Sequence, residues 1–228
     1  MGNLCIIPAR GGSKRIPRKN IRDFLGKPII AYSIEVALAS GLFDEVMVST
    51  DDEEIAEVAK RYGAKVPFLR STNGSDDYAP LRDVFLEVLA NYKLKGKNFN
   101  SFCGLLSTAP LVEKRHLEDS FHLMAGSCSA VIAVVEYDFP IERFLIMTEG
   151  QLKVGNEELY RKRSQDLTPK FHDAGQFYWA EAKQYFEKQS FYSLNAKGYC
   201  LDKSRFFDID SLEDWQRVEY VYRSFYES

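Results

Sequence analysis

Apolar residues along the chain gather into short continuous runs, and between those runs they recur at helical spacing. Leu4, Cys5, Ile6 and Ile7 form the first run, closed by Pro8, which is the pattern of a buried strand. Pro28 opens a helical stretch reaching about residue 39, with Gly41 just past its end. Residues 45–49 read as a second strand; Asp51 or Asp52 can cap a helix running to about Tyr62, where Gly63 stops it. A short strand at 66–69, a helix at 80–92, a strand at 101–107 and a helix at 114–124 follow. The near-continuous apolar run at 129–135 is of the kind buried on both faces of a sheet. Strands alternating with helices at this spacing predict βαβ units, hence an α/β fold with a mainly parallel twisted sheet flanked by helices.

Beyond Glu136 the alternation breaks. Residues 139–175 mix charge, aromatics, glycine and proline, which predicts an excursion from the sheet. Phe139, Ile141, Phe144, Leu145, Ile146 and Met147 make it apolar enough for an inserted dimerisation arm. A strand at 176–179, a short helix, a strand near Tyr199 and a terminal helix at 212–222 complete the pattern. No repeat, low-complexity tract or linker interrupts it, so one domain over 1–228 with an inserted arm is expected.

Composition narrows the class. Hydrophobic residues at 45% and charged residues at 28% describe a globular chain, not a disordered one. No run approaches the roughly 18 apolar residues of a membrane span. The stretch from Met1 into Leu4 lacks the basic start, long apolar core and cleavage site of a secretory signal. Cys5, Cys103, Cys128 and Cys200 are far apart and form no C-x-x-C pair, so they read as small hydrophobes and not as metal or redox groups. A cytoplasmic location is the expectation.

A net charge of −3 argues against general nucleic-acid binding. Its distribution says more: Arg10, Lys14, Arg15, Arg18, Lys19, Arg22 and Lys27 lie together against one acid, Asp23. Such a concentration in an acidic chain marks either a focused anion site or a solvated basic loop. Glycine is interleaved with the charge, which favours the anion site. In an open parallel sheet, ligands bind at the carboxyl ends of strands, and Pro8-Ala9-Arg10-Gly11-Gly12-Ser13-Lys14 follows the first strand there. Adjacent glycines let backbone N–H groups approach phosphate closely, while Arg10 and Lys14 supply charge. The spacing is neither that of the Walker loop nor that of the dinucleotide fingerprint.

The full stretch Ile7-Pro8-Ala9-Arg10-Gly11-Gly12-Ser13-Lys14-Arg15-Ile16-Pro17-Arg18-Lys19-Asn20 strongly resembles the N-terminal signature of the CMP-sialic acid synthetase family of cytidylyltransferases. The resemblance implies a Rossmann-like nucleotidyltransferase fold. It also implies CTP contacts at Pro8, Ala9, Arg10, Gly11, Gly12, Ser13, Lys14 and Asn20. Phe68-Leu69-Arg70 is similar to the segment whose arginine lines the nucleotide pocket, and Ser75-Asp76-Asp77 to the turn after it, adding Arg70 and Ser75. Phe207-Asp208-Ile209-Asp210 resembles the family's Mg2+-binding pair. Oxygen ligands do suit a hard Mg2+, and alternate carboxylates share a face if the strand is regular. The other reading of this pair is a capping cluster before the last helix, with Asp210 or Ser211 as cap.

The match is uneven on the sugar side. Many relatives carry an L-Q-P-T-S-P segment where this chain reads Leu105-Leu106-Ser107-Thr108-Ala109-Pro110. Arg163-Ser164-Gln165 and His172-Asp173-Ala174-Gly175-Gln176-Phe177-Tyr178-Trp179 replace an N-G-A-I-Y-like stretch, and the latter is similar to bacterial pseudaminic acid cytidylyltransferases, which serve flagellar or surface glycans. The resemblance implies sugar contacts at Thr108, Arg163, Gln165, His172, Asp173, Gln176 and Tyr178. His172 can equally be a structural histidine, and Arg163 either pairs a sugar carboxylate or belongs to a solvated edge.

The implied reaction is in-line attack of the anomeric hydroxyl of an acidic nine-carbon sugar on the α-phosphorus of CTP, with pyrophosphate leaving. Arg10, Lys14, Asp208 and Asp210 are its catalytic candidates, Mg2+ its cofactor, and a homodimer its expected assembly. The rivals are activation of N-acetylneuraminic, legionaminic or another ulosonic acid, a non-catalytic nucleotide-binding module, and a glycosyltransferase, which would need a D-x-D after a central strand.

Overall fold

The first apolar run becomes β1 (Asn3–Pro8), with Leu4, Cys5, Ile6 and Ile7 fully buried. The computed structural model describes residues 2–71 and 81–226. In it the basic loop after β1 ends in a 3-10 turn at Lys19–Ile21, and a small ribbon of β2 (Asp23–Phe24) and β3 (Lys27–Pro28) leads into α1 (Ile29–Ser40). Then come β4 (Glu45–Ser49), α2 (Glu53–Arg61), α3 (Leu81–Leu94), β5 (Ser101–Leu105), α4 (Lys114–His122) and β6 (Ala130–Glu136). The arm holds a hairpin of β7 (Leu145–Thr148) and β8 (Gln151–Val154), followed by α5 (Glu157–Tyr160). The chain returns through β9 (Phe171–Glu181), α6 (Ala182–Lys188), β10 (Ala196–Cys200) and α7 (Leu212–Tyr226).

Six strands form one sheet in the order β10-β6-β9-β5-β1-β4. Alternation along β1 feeds both of its faces. Cys5 and Ile7 enter the larger core with Ile30 of α1, Val58 of α2, Leu117 of α4 and Trp215 of α7, while Leu4 and Ile6 enter a second core with Phe85 of α3 and Tyr185 of α6. A fully buried side chain of this kind contributes about 1.5–3 kcal/mol, so both layers of helices are clamped to the strand that carries the basic loop.

The mainly parallel sheet is found, with one strand reversed, while one expected strand and two element boundaries are corrected. The sheet is mixed: β5, β1, β4, β6 and β10 run parallel, but β9 is antiparallel to both β5 and β6. Residues 66–69 make no strand; a single bridge joins Met47 to Lys65, and Pro67, which has no N–H for a ladder, follows at once. The strand expected through Ser107 stops at Leu105, and the helix expected from Pro28 starts at Ile29, with Pro28 as its extended cap. As foreseen, Asp52 caps α2, accepting the Ile55 N–H at 3.0 Å. None of the helices among the described residues is long and apolar enough to cross a membrane.

Candidate active site at the carboxyl edge of the sheet

β1, β4, β5 and β6 deliver their carboxyl ends to one edge, and the candidate residues converge there. Ala9 stays tied to β4 through its N–H to the Ser49 carbonyl at 2.9 Å. The chain then leaves the sheet, and Gly11 N–H donates to Asp51 Oδ1 at 3.0 Å. A Cβ at Gly11 would stand 2.6 Å from Asp52 Oδ2, so glycine is required for this approach. Gly12, Lys14 and Arg15 are exposed on the outer turn, and the Ser13 N–H donates back to the Gly11 carbonyl at 3.1 Å.

Arg18 turns the loop back with φ at 55°, a left-handed backbone that non-glycine residues rarely adopt. Its guanidinium bridges Asp52 at 2.5 Å and Glu54 at 2.5 Å, which holds the conformation from outside. The Arg18 hydrogen bond in turn keeps the Asp52 carboxyl below the usual carboxylate range. Asn20 donates through Nδ2 to the Arg10 carbonyl at 2.9 Å and accepts from Ser107 Oγ at 2.7 Å. Arg70 is buried, donating to Ser49 Oγ at 3.2 Å and to the Ser49 carbonyl at 2.5 Å. Burial pulls its pKa down; Asp51 and Glu87 oppose that, and Arg10 adds to it, so Arg70 and Arg10 share one field. Ser75 lies outside the described residues.

Asp208 and Asp210 close the same cleft from the C-terminal side. They stand on an irregular segment and not on a strand. Lys19 anchors that segment, its ammonium donating to the Ile209 carbonyl at 2.6 Å. Asp210 pairs with Arg15 at 2.8 Å and with Lys19 at 3.9 Å. Burial first, then repulsion from Asp210 and Asp173, raises the Asp208 pKa, with Lys19 and His172 pulling the other way. The capping reading falls to Ser211, whose Oγ accepts the Asp214 N–H at 3.1 Å while Asp214 accepts from Ser211 N at 2.8 Å. Neither candidate carboxylate is used in that cap.

Where the resemblance implies sugar contacts, β9 carries a long bulge. Tyr178 faces Ile132 and Asp173 faces Val134, so the four residues 174–177 on β9 stand opposite the single Ala133 on β6. The bulge pushes Gly175 against Asp208: its φ is +60°, and a Cβ there would lie 2.1 Å from Asp208 Oδ1. Asp173 accepts from the Gly175 N–H at 2.8 Å, from Tyr178 Oη at 2.9 Å and from Tyr192 Oη at 3.4 Å. Gln176 is buried, with Nε2 on the Ala174 carbonyl at 3.0 Å and its own carbonyl accepting Leu106 N–H at 2.8 Å. His172 is exposed, its Nδ1 2.8 Å from the Asp173 carbonyl and its ring 4.9 Å from that of Tyr137. Thr108 is half-buried in the turn after β5.

Two candidates do not join this group within the chain. Arg163 pairs with Asp166 at 2.8 Å out on the arm, and Gln165 is exposed beside it. Conversely, Lys19, Asp51, Asp52, Ser107 and Tyr192 bond to the candidate residues or to the segments that carry them, though the sequence offered no site role for them. No local pattern marks them, because each acts across the sheet.

Residues 4–219 match the family model described as cytidylyltransferase, and the chain belongs to that family. It is 44% identical over its whole length to a pseudaminic acid cytidylyltransferase of Campylobacter jejuni, covering 99% of that protein. It is 35% identical over 95% of its length to the CMP-N,N'-diacetyllegionaminic acid synthase of Legionella pneumophila, covering 94% of it. In fold it resembles a CMP:2-keto-3-deoxy-manno-octonic acid synthetase solved with CTP, with a TM-score of 0.73 at 16% identity, covering 98% of this chain and 99% of the other.

Proposed function

We infer that this chain transfers CMP from CTP to the anomeric hydroxyl of a nonulosonic acid, with pseudaminic acid as the favoured substrate, and releases pyrophosphate. The full-length 44% identity to the Campylobacter jejuni enzyme carries the substrate reading. The convergence of Arg10, the glycine turn, Arg70, Asp208 and Asp210 on one edge supports the chemistry. In the reaction the sugar oxygen forms a bond to the α-phosphorus as the bond to the pyrophosphate oxygen breaks, and the hydroxyl proton leaves to solvent. Positioning and charge neutralisation supply most of the acceleration in such transfers. Arg10, Lys14 and the turn at Gly11, Gly12 and Ser13 hold the β- and γ-phosphates. Asn20, Arg70, Pro8 and Ala9 shape the nucleotide pocket. The bulged segment with His172, Asp173, Gln176 and Tyr178, and the nearby Thr108, faces the sugar.

Mg2+ suits Asp208 and Asp210. Burial, and then repulsion from Asp210 and Asp173, raises the Asp208 pKa, and a divalent cation would relieve that repulsion. Among the described residues no cluster of three or more His, Cys, Asp or Glu could hold a metal alone, so Asp208 and Asp210 are the residues that would hold Mg2+. When bound, Mg2+ would neutralise phosphate charge.

The arm supplies the assembly. Phe139, Met147 and Leu152 are 63%, 70% and 62% exposed, a set of apolar side chains that a second copy of this chain covers in the dimer. Arg163 and Gln165 then face the partner's sugar pocket. The enzyme works in the cytoplasm, where CTP is made available.

Pyrophosphate release with CTP and Mg2+ tests the reading, comparing pseudaminic, N,N'-diacetyllegionaminic and N-acetylneuraminic acids. Release with pseudaminic acid at least tenfold above the others is expected. Equal or greater release with another acid overturns the substrate, and no release with any of them overturns the activity.

A further inference from the structure

Ser107 lies in the turn after β5 and is 6% exposed, as is Asn20, whose side chain it touches. The orientation of the Asn20 amide is settled by its other partner. The Arg10 carbonyl can only accept, so Nδ2 faces Arg10 and Oδ1 faces Ser107, and the Ser107 hydroxyl is the donor. The Arg10 carbonyl and the Gly11 N–H belong to one peptide unit. Asn20 holds its oxygen side and Asp51 holds its nitrogen side at 3.0 Å. That plane is the first of the loop, and its tilt sets where the next amides and side chains point.

The turn bearing Ser107 is itself fixed from two directions. Ser33 of α1 donates through Oγ to the Leu106 carbonyl at 2.7 Å, and the Leu106 N–H donates to Gln176 on β9 at 2.8 Å. We propose that Ser107 is a positioning residue for nucleotide binding: without touching CTP, it fixes the Asn20 rotamer and through it the Arg10–Gly11 peptide. Loss of its hydroxyl leaves a buried amide oxygen without its donor and frees the loop to tilt. The inference rests on the reading of this cleft as a CTP site.

Ser33 supplies the control, because its hydroxyl makes a bond of the same length to the same turn but reaches the loop only through that turn, which the Leu106 N–H to Gln176 still holds when Ser33 is removed. Calorimetric CTP affinity without sugar, steady-state constants and melting temperature would be measured for wild type, Ser107→Ala, Ser107→Thr, Ser33→Ala, Asn20→Ala and the Ser107/Asn20 double variant. Ser107→Ala is expected to weaken CTP binding about fivefold or more and to raise KM for CTP with kcat within about twofold. Ser107→Thr should restore affinity to within about twofold, Ser33→Ala should bind CTP like wild type, and Ser107→Ala should add nothing to Asn20→Ala. Wild-type CTP affinity in Ser107→Ala, equal loss in Ser33→Ala, or full additivity with Asn20→Ala overturns the proposal. If Ser107→Ala unfolds at the assay temperature, Ser107→Cys is held to the same thresholds. Failure of the wild type itself to bind CTP would instead overturn the reading of the cleft.

Discussion

Residues 10–20 and the arm between β6 and β9 are both charged surface segments, but they are held in different ways. The loop is tied to distant chain: Gly11 to Asp51 across 40 residues, Arg18 to Asp52 across 34, Asn20 to Ser107 across 87, and Lys19 to Ile209 across 190. The arm pairs mostly with itself, with Asp138 at its base reaching Lys203 at 3.0 Å. Arg161 meets Glu157 and Lys162 meets Glu158 one helical turn apart, and Arg163 meets Asp166 three residues on. Exposed pairs of that kind contribute about 0–1 kcal/mol each, so they organise the arm locally without fixing it to the sheet. A segment whose partners are non-local is placed by the whole fold and can be exact enough for phosphate. A segment satisfied by its neighbours keeps its apolar face for something outside the chain.

The largest effect is expected in the loop. Gly11→Ala forces its methyl toward Asp52, which already serves Arg18 and the α2 cap, so the turn must move. Displacement of about 1 Å can cost about a hundredfold in rate. A fall of that order in kcat/KM for CTP is expected, with the melting temperature within a few degrees of wild type. A normal rate would show that the tight approach is irrelevant to nucleotide binding.

The arm should respond in its assembly and not in its fold. Met147→Asp is expected to convert a dimer into a monomer in sedimentation at micromolar concentration, with little change in circular dichroism. A wild-type chain that is already monomeric would remove the second copy from the account of the arm.

The smallest effect belongs to neither region and gives a baseline. His116 accepts the Glu113 N–H through Nδ1 at 3.0 Å at the start of α4, and burial lowers its pKa from 6.5 to about 4. The folded chain thus favours neutral His116, and the unfolded chain takes up the proton first on acidification. The stability this confers is complete above pH 6.5 and is lost as pH falls from 6.5 towards about 4. His116→Asn should lessen the decline in melting temperature between those values while leaving CTP affinity and the sedimentation behaviour unchanged. An identical pH profile in the variant would show that His116 takes up its proton equally in the folded and unfolded states.

Much of the sheet was legible because its strands are apolar on both faces. The runs at 4–7, 45–49 and 129–135 have few other stable uses, and each became a strand within a residue or so. The stretch at 66–69 was equally apolar but failed: Lys65 bridges Met47 on the outer edge of β4, and Pro67, with no N–H for a ladder, ends the pairing there. Strand direction was not legible, because the alternation of β9 is the same whichever way it runs. In the site, the basic glycine loop announced itself, whereas Ser107 looked like any polar residue in a turn.

The sequence by itself determined an α/β chain, a phosphate-type loop after the first strand, a late carboxylate pair and membership of one enzyme family. Those features depend on local pattern: burial periodicity, glycine beside positive charge, and residues adjacent in the chain. Only the tertiary structure decided that β9 runs antiparallel with a bulge against Asp208, that Lys19 anchors the Asp208–Asp210 segment, and that Ser107 reaches Asn20. Each of these joins groups far apart in sequence, and their meeting depends on how the layers pack around the sheet, which no single segment encodes.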